Sequence, residues 1–302
     1  MLFRSSCTTT CSQAAAINGQ IEGSISDATG AVIPNVKVEV VNDGTGFKQE
    51  TQTTSSGFFR FALLPLGSYT LTAEAKGFAT EKRSDISLSA GSTRTVNLQL
   101  SVGTDVRTVQ VSDEAPLVEP GRTDIGSTVS ANMVTNLALV SRNPYNFILA
   151  QPNVSGTPNV EFGVPRKVNA NGFTDRINYQ IDGSNNTQSD RAGIRLIPFS
   201  QTYVAEVQQV NNGFAPEFGN TTGTVFNTIT KSGANAFHGE GAYIFRRTDM
   251  VARSTLLAAT AVKPDQNLDN FYFNAGGRVV RDKLFFFGHY EGLRQRQHHG
   301  HL

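Results

Sequence analysis

The sequence predicts a mainly β protein that begins with a β-sandwich of about seven short strands. Short apolar runs are interrupted throughout by Gly, Thr, Ser and Asn, and the 302 residues include 28 glycines. That composition is typical of an all-β chain with many turns. The apolar runs also alternate with polar residues at period two, which places one face of each strand in a core and the other in water.

The alternation is most regular in the first third of the chain, over residues 17–103. It is clearest at residues 36–40, 69–73 and 96–100. Turn signals separate the runs, at residues 27–30, 42–44, 55–57 and 66–67. Their spacing is near the 8–12 residues expected in a sandwich, and it predicts about seven strands.

Four segments of this region resemble the carboxypeptidase regulatory-like family. They read GQIEGSISD (19–27), IPNVKV (33–38), GFFRFALLPLGSYTL (57–71) and KGF (76–78). The resemblance implies a seven-stranded transthyretin-like (prealbumin-like) sandwich, a carbohydrate-binding-like fold. It implies no peptidase activity.

Residues 104–123 are predicted to be a linker that contains one strand-forming segment. The segment comprises Val106, Arg107, Thr108, Val109, Gln110 and Val111, and a stretch with two prolines and several acidic residues follows it. An extended segment in a mobile linker can be captured by strand addition to the edge of a partner's sheet. The alternative interpretation is a strand that only leads into the next domain.

Residues 124–233 are predicted to mix short helix and strand. Met133, Leu137 and Val140 have helical spacing and predict a helix over residues 132–140. It should end near Pro144, because the residue before proline avoids the α region. Strands are predicted at residues 168–170, 177–182, 204–210 and 224–230, and the first two run into glycine turns.

Eight short segments, seven of them within that region, resemble the plug domain of Oar-like TonB-dependent transporters. They are SRN (141–143), QPNV (151–154), NANG (169–172), NYQIDG (178–183), EVQ (206–208), APEFG (215–219), TKSG (230–233) and FHG (237–239). Pro216 and Phe226 depart from the usual pattern. The resemblance implies the N-terminal part of a TonB-dependent receptor, with residues 106–111 as the TonB box that pairs with a TonB-type energy-coupling protein.

Residues 234–302 are predicted to form the first strands of an outer-membrane β-barrel. Aromatic and small residues alternate with polar ones at residues 237–246 and 271–279, the pattern of a lipid-facing and a lumen-facing side. A further strand is predicted at residues 284–294. The 69 residues that follow Gly233 suffice for about three strands, whereas a plugged transporter has about 22. The sequence therefore predicts a fragment with an incomplete barrel.

The N-terminus is predicted to be a disordered leader remnant over residues 1–16. It holds both cysteines, Cys7 and Cys11, and residues 5–13 are too polar for an export signal. The intact protein is nevertheless expected in the outer membrane, in contact with its lipid, with the sandwich and the plug on the periplasmic side. The 26 basic and 25 acidic residues argue against a nucleic-acid partner.

No catalytic motif is present, so the chain is not expected to be an enzyme or to need a cofactor. Residues 182–190 alternate oxygen-bearing side chains but lack the glycine and glutamate of a calcium loop, so a hydrogen-bonded turn is expected and no metal site. Arg191 and Arg195 follow on an apical plug loop. They are candidates for binding an anionic group of a glycan, peptide or siderophore, and salt bridges inside the barrel are the alternative.

Two other functions compete with transport. The sandwich alone fits a cell-surface carbohydrate-binding or adhesion module, which would be supported by repeated copies, and the chain has one. A secreted peptidase with this accessory domain would need a zinc-ligand motif, and the sequence has none.

Overall fold

The computed structural model describes residues 17–103, 107–110, 125–137, 143–159, 164–188, 194–197, 199–212, 221–250, 252 and 267–296. Strands dominate these residues and helices are few and short, which confirms the predicted mainly β class. The chain divides into two compact units, with the boundary between Lys231 and Ser232.

The first unit begins with nine strands in two sheets. The strands are β1 Gly19–Asp27, β2 Lys37–Asn42, β3 Lys48–Gln52, β4 Phe58–Leu64, β5 Gly67–Glu74, β6 Glu81–Leu88, β7 Thr93–Thr95, β8 Leu98–Leu100 and β9 Arg107–Gln110. One sheet has the order β4-β1-β7, with β8 also on β1, and the other has the order β3-β2-β5-β6-β9. Buried side chains of both sheets form one core, among them Ile21, Phe59, Val38 and Leu71.

The sandwich has one more strand before residue 101 than the seven predicted, because the last predicted strand is interrupted. β7 and β8 share one parallel register on β1, with Ile21 opposite Arg94 and Ile25 opposite Leu98. Between them the side chain of Asn97 replaces the ladder and accepts from the Ser24 amide at 3.0 Å. The backbone is so close here that a Cβ on Gly23 would lie 1.9 Å from the Val96 carbonyl oxygen, so only glycine fits.

The second part of this unit contains two further sheets. Its strands are β10 Ile125–Val129, β11 Val154–Thr157, β12 Arg166–Ala170, β13 Phe173–Thr174, β14 Ile177–Ile181, β15 Ser184–Asn185, β16 Val204–Asn212 and β17 Thr224–Thr230. The sheet orders are β10-β16-β17-β14-β15 and β11-β12-β13. The pair β14 and β17 is parallel, and the other pairs are antiparallel.

An aromatic cluster holds this second part together. The centroid of the Tyr145 ring lies 5.2 Å from that of Tyr179, in an edge-to-face arrangement, and 4.3 Å from that of Phe199. Phe226 is fully buried and lies within 6 Å of both tyrosine rings. Such pairs stabilise a core beyond the area that they bury. The phenylalanine that departs from the family pattern is therefore a central member of the core.

The predicted helix over residues 132–140 is wrong in its length and in its buried face. Helix α1 spans Ala131–Asn136, with Ser130 as its N-cap, and Leu137 is already extended. Met133 and Leu137 are exposed, and Val134 is the buried residue. With six residues, α1 is less than two full turns long, so spacing over nine residues could not identify its buried face. Two 3-10 helices accompany it, Pro144–Ala150 and Gln201–Tyr203.

No helix in the described part of the chain is long and apolar enough to cross a membrane.

Both glycine turns predicted in this region are confirmed. Asn171 and Gly172 join β12 to β13 with φ of 55° and 80°, and Asp182 and Gly183 join β14 to β15 with φ of 48° and 74°. Two successive residues with positive φ are typical of the type I′ hairpin, which favours Asn-Gly and Asp-Gly.

The second unit is a three-stranded antiparallel sheet. Its strands are β18 His238–Arg246, β19 Asn267–Val280 and β20 Leu284–Arg296, with the 3-10 helix Thr248–Met250 after β18. β19 and β20 are joined by a tight turn at residues 281–283. The β19 strand has 14 residues and β20 has 13, longer than the about 9–11 that a tilted strand needs to span a bilayer.

Candidate functional site

The candidate coupling segment forms a strand at the edge of the sandwich. Arg107, Thr108, Val109 and Gln110 make up β9, whereas Val106 and Val111 lie outside the described residues. β9 runs parallel to β6, with Glu81 opposite Arg107 and Ser84 opposite Gln110. The prediction that this segment is strand-forming is confirmed. The structure places it on the sandwich, which neither of the two sequence interpretations foresaw.

The half of β6 that carries β9 is polar. Glu81 is buried, and its Oε1 lies 3.5 Å from Nε of Arg83 in an ion pair, while Lys82 is exposed. The apolar residues of β6, Ile86 and Leu88, belong to its other half. A bulge separates the halves at Asp85, which has φ of +61°. The described part of the parallel ladder lies on the N-terminal side of this bulge, at Glu81–Ser84.

The structure describes only one of the two candidate substrate-binding arginines. Arg191 lies outside the described residues, and Arg195 forms an isolated bridge with Thr187. The Arg195 guanidinium lies 5.4 Å from the centroid of the Tyr145 ring, a cation–π contact. The aromatic cluster around Tyr145 therefore holds this arginine partly buried.

Asn186 fastens the short loop that carries Arg195. Its side-chain oxygen accepts from the Ile197 amide at 2.8 Å, and its side-chain nitrogen donates to the Ile197 carbonyl at 3.1 Å. The Tyr145 hydroxyl donates to the same carbonyl at 2.7 Å. Burial raises the pKa of Tyr145, so the phenol stays protonated and remains a donor.

The loop after β14 forms hydrogen-bonded turns, as the sequence analysis expected. The Asp182 carboxylate accepts from the Thr230 amide at 2.9 Å and from the Thr230 hydroxyl at 2.8 Å. Asn185 accepts from the Thr187 amide at 2.9 Å, an Asx turn. These contacts use the side-chain oxygens of Asp182 and Asn185, two residues of the loop that suggested a calcium site. Within the described ranges, no three His, Cys, Asp or Glu side chains come together as a metal site would require.

A carboxylate on β16 that the sequence analysis missed forms hydrogen bonds with the sandwich. Glu206 on β16 accepts from the Ala90 amide at 3.1 Å and from the Ser89 hydroxyl at 3.2 Å. Burial raises the pKa of Glu206, although these hydrogen bonds and the nearby Arg94 act in the opposite direction. Glu206 had appeared only within the EVQ motif, and no sequence pattern indicated its partners at a separation of 116 residues.

This contact is expected to make stability depend on pH. A carboxyl group whose pKa is higher in the folded state than its ordinary 4.5 stabilises the fold fully below that value and less as pH rises through the folded pKa. Glu206→Gln should therefore not lose stability relative to the unaltered chain at neutral pH. Its free energy of unfolding should also change less with pH. Glu206→Ala should lose about 1–3 kcal/mol, because the Ala90 amide loses its acceptor. Urea unfolding of the chain and both variants from pH 4 to 7 measures this.

A steeper profile for Glu206→Gln than for the unaltered chain would contradict that account. Glu50→Gln is the contrasting control. Ion pairs with Lys48 and Lys37 lower the pKa of this exposed carboxylate, so its loss should remove stability that is gained as pH rises, the opposite of Glu206.

The three strands of the second unit separate apolar from polar side chains. Phe273 lies opposite both Gly241 and Tyr290, and the exposed apolar face contains Tyr243, Phe245, Phe271, Phe273 and Tyr290. On the other face the Tyr272 hydroxyl donates to Glu240 at 2.5 Å, and Asn270 donates to Glu291 at 2.7 Å. This two-sided arrangement agrees with the predicted lipid-facing and lumen-facing sides.

Two family models match the chain, one at each end. Residues 20–101 match the model described as carboxypeptidase regulatory-like domain, and residues 229–301 match the model described as outer membrane beta barrel domain. The TonB-dependent transporter Oar of Myxococcus xanthus is 29% identical over 265 residues, which cover 83% of this chain and 24% of that protein. Most of the chain is therefore similar to part of a TonB-dependent transporter. The barrel model also confirms the predicted location in the outer membrane.

The chain spans about a quarter of the length of the curated relative it matches. Two solved outer-membrane receptors are among the structures that are similar to part of it. The siderophore receptor PirA of Acinetobacter baumannii is 15% identical, with 56% of this chain and 24% of that chain covered and a TM-score of 0.41. The alcaligin outer-membrane receptor FauA of Bordetella pertussis is 14% identical, with coverage of 58% and 27% and a TM-score of 0.40. At these TM-scores the likeness decides neither fold details nor function.

Proposed function

We propose that the chain is the N-terminal part of a TonB-dependent outer-membrane transporter that actively takes up, or exports, a large substrate. The observation that carries the proposal is the order of the matched segments. A carboxypeptidase regulatory-like domain precedes an outer-membrane barrel domain, and one alignment to a transporter covers 83% of the chain. The proposed domains are the sandwich at 17–103, the linker at 104–123, the plug at 124–233 and the first barrel strands from 234.

The proposed mechanism needs no covalent chemistry. The intact protein binds its substrate at the outer face, between plug loops and barrel wall. A TonB-type energy-coupling protein pairs with residues 106–111 and pulls on the plug. The described part of this segment is already strand-forming, which supports strand addition as the mode of pairing.

Arg191 and Arg195 are proposed to meet an anionic group of the substrate on the outer side of the plug. The position of Arg195 supports a limited contribution of its charge to substrate binding. Its guanidinium lies over Tyr145, and that ring would limit how far the charge can move towards a substrate. A glycan, a peptide or a siderophore with an anionic group fits this chemistry.

Val109→Pro is expected to reduce cross-linking to a TonB protein about tenfold or more. Proline removes the backbone donor and cannot join a ladder as a central residue, and each 1.4 kcal/mol lost is about tenfold in affinity. The measurement is disulfide or photochemical cross-linking in outer membranes that contain the protein. Ala28→Pro is the matched control, since residue 28 lies in an exposed turn after β1 where the Gly30 amide donates to Asp27. Unchanged cross-linking of the Val109→Pro variant, with the control also unchanged, would rule out residues 106–111 as the coupling segment.

A further inference from the structure

The candidate coupling segment is occupied in this structure by the chain itself. β9 is the last strand of the five-stranded sandwich sheet, and four of its residues pair with Glu81–Ser84 of β6. In a ladder, the backbone N–H and C=O groups that face the neighbouring strand are hydrogen-bonded to it. Any partner that adds a strand to this segment meets a strand that already has a neighbour.

The strand that β9 pairs with has a polar edge where β9 lies. The part of β6 under β9 consists of Glu81, Lys82, Arg83 and Ser84, and none of them contributes an apolar side chain to the core. Charged residues, lysine in particular, and a bulge are the features that protect a sheet edge when it is exposed to water. The β6 edge therefore has the features of a sheet edge that tolerates exposure to water, as it would if β9 left it.

The β6–β9 ladder is parallel and lies next to an irregularity in β6. Its described part comprises four residue pairs, and the bulge at Asp85 directly follows them on β6. Parallel pairing is slightly less stable per residue than antiparallel pairing. These properties favour a contact that forms and opens reversibly.

We propose that the β6 edge of the sandwich competes with the coupling protein for the segment Arg107–Gln110. In the held state the segment is a strand of the sandwich, and in the coupled state it leaves β6 and pairs with an extended strand of the partner. The sandwich thus acts as an intramolecular competitor that sets how readily the transporter engages its energy source. This inference rests on the proposed function, because it takes these residues as the coupling segment.

Hydrogen exchange on the unaltered chain tests displacement directly. The probe is the purified periplasmic domain of a TonB protein, added to the full chain in detergent. If β9 leaves β6, amides within Glu81–Ser84 that donate to β9 lose their acceptors, and their exchange should accelerate about tenfold. Unchanged or slower exchange in β6, with the partner bound, would mean that the partner adds to the free edge of β9, and the competition would be refuted.

A reversible cross-link supplies the second measurement. Lys82→Cys and Thr108→Cys are introduced together, since these residues are direct ladder partners, with Cys7 and Cys11 replaced by serine. Oxidation should reduce binding of the TonB domain about tenfold or more, and reduction should restore it. The matched control joins β2 to β3 through Lys37→Cys and Gln52→Cys, another ladder pair, and should bind equally in both states.

The outcomes separate this inference from the proposed function. Equal binding by the oxidised and reduced forms of the β6–β9 variant overturns the competition and leaves the coupling role in place. Failure of the variant to oxidise where the control oxidises overturns the held state. Failure of the unaltered chain to bind the TonB domain overturns the coupling role itself.

Discussion

Phe273→Arg is expected to prevent most of the protein from inserting into the outer membrane. Phe273 is 61% exposed on the apolar face of β19, with Tyr290 opposite it. An arginine on the lipid-facing side of a barrel costs about 2–4 kcal/mol near the bilayer midplane and less near the interfaces. The measurement is the fraction of the protein that stays in outer membranes after extraction with urea.

The neighbouring residue provides the matched control. Tyr272 points to the opposite face and donates to Glu240, so Tyr272→Arg places the same charge beside a carboxylate. It should insert nearly as well as the unaltered protein. If Tyr272→Arg abolished insertion and Phe273→Arg did not, the two faces would be assigned the wrong way round.

Phe226→Ala is expected to destabilise the region around the aromatic cluster by about 3–5 kcal/mol, the usual cost of removing a buried phenylalanine ring. Phe226 is fully buried, and its ring lies 5.9 Å from Tyr145 and 5.8 Å from Tyr179. The loss should appear in urea unfolding and as faster hydrogen exchange throughout β14, β16 and β17, because these strands share the cluster.

Phe173→Ala removes the same ring from a hairpin where it is 48% exposed. That variant should change stability much less, by up to about 1 kcal/mol. A similar loss for both variants would show that the aromatic cluster does not organise the core of this region.

The sequence predicted the fold best in strands that have one buried and one exposed face, because alternation then shows which residues are buried. Val38, Val40, Tyr69 and Leu71 were expected inside the sandwich, and all four are buried. The hairpin turns were predictable for a related reason. Asn171-Gly172 and Asp182-Gly183 supply the positive φ values that the turn requires.

Contacts between distant parts of the chain could not be predicted in this way. β9 was predicted as a strand, but its neighbour β6 is about 26 residues away, and strand order is not encoded in local alternation. The partners of Glu206 at Ser89 and Ala90 are further still. Helix α1 was misjudged because a six-residue helix leaves too few positions to define a face.

The candidate site was predicted in part for the same reasons. The strand character of residues 107–110 followed from composition, whereas their pairing with the sandwich followed only from the structure. Arg195 was predicted as a plug-loop residue, but its contact with Tyr145 depends on the loop fastened by Asn186.

The most direct test of the proposed identity is the size and location of the expressed protein. The proteins of outer membranes from the source cells are separated by mass. The fraction that contains peptides of this chain is then identified by mass spectrometry. The account predicts these peptides in the outer membrane, on a protein several times larger than the 32.6 kDa of this chain, since the chain spans 24% of its transporter relative. A soluble product of the chain's own mass, absent from the membrane, would contradict it.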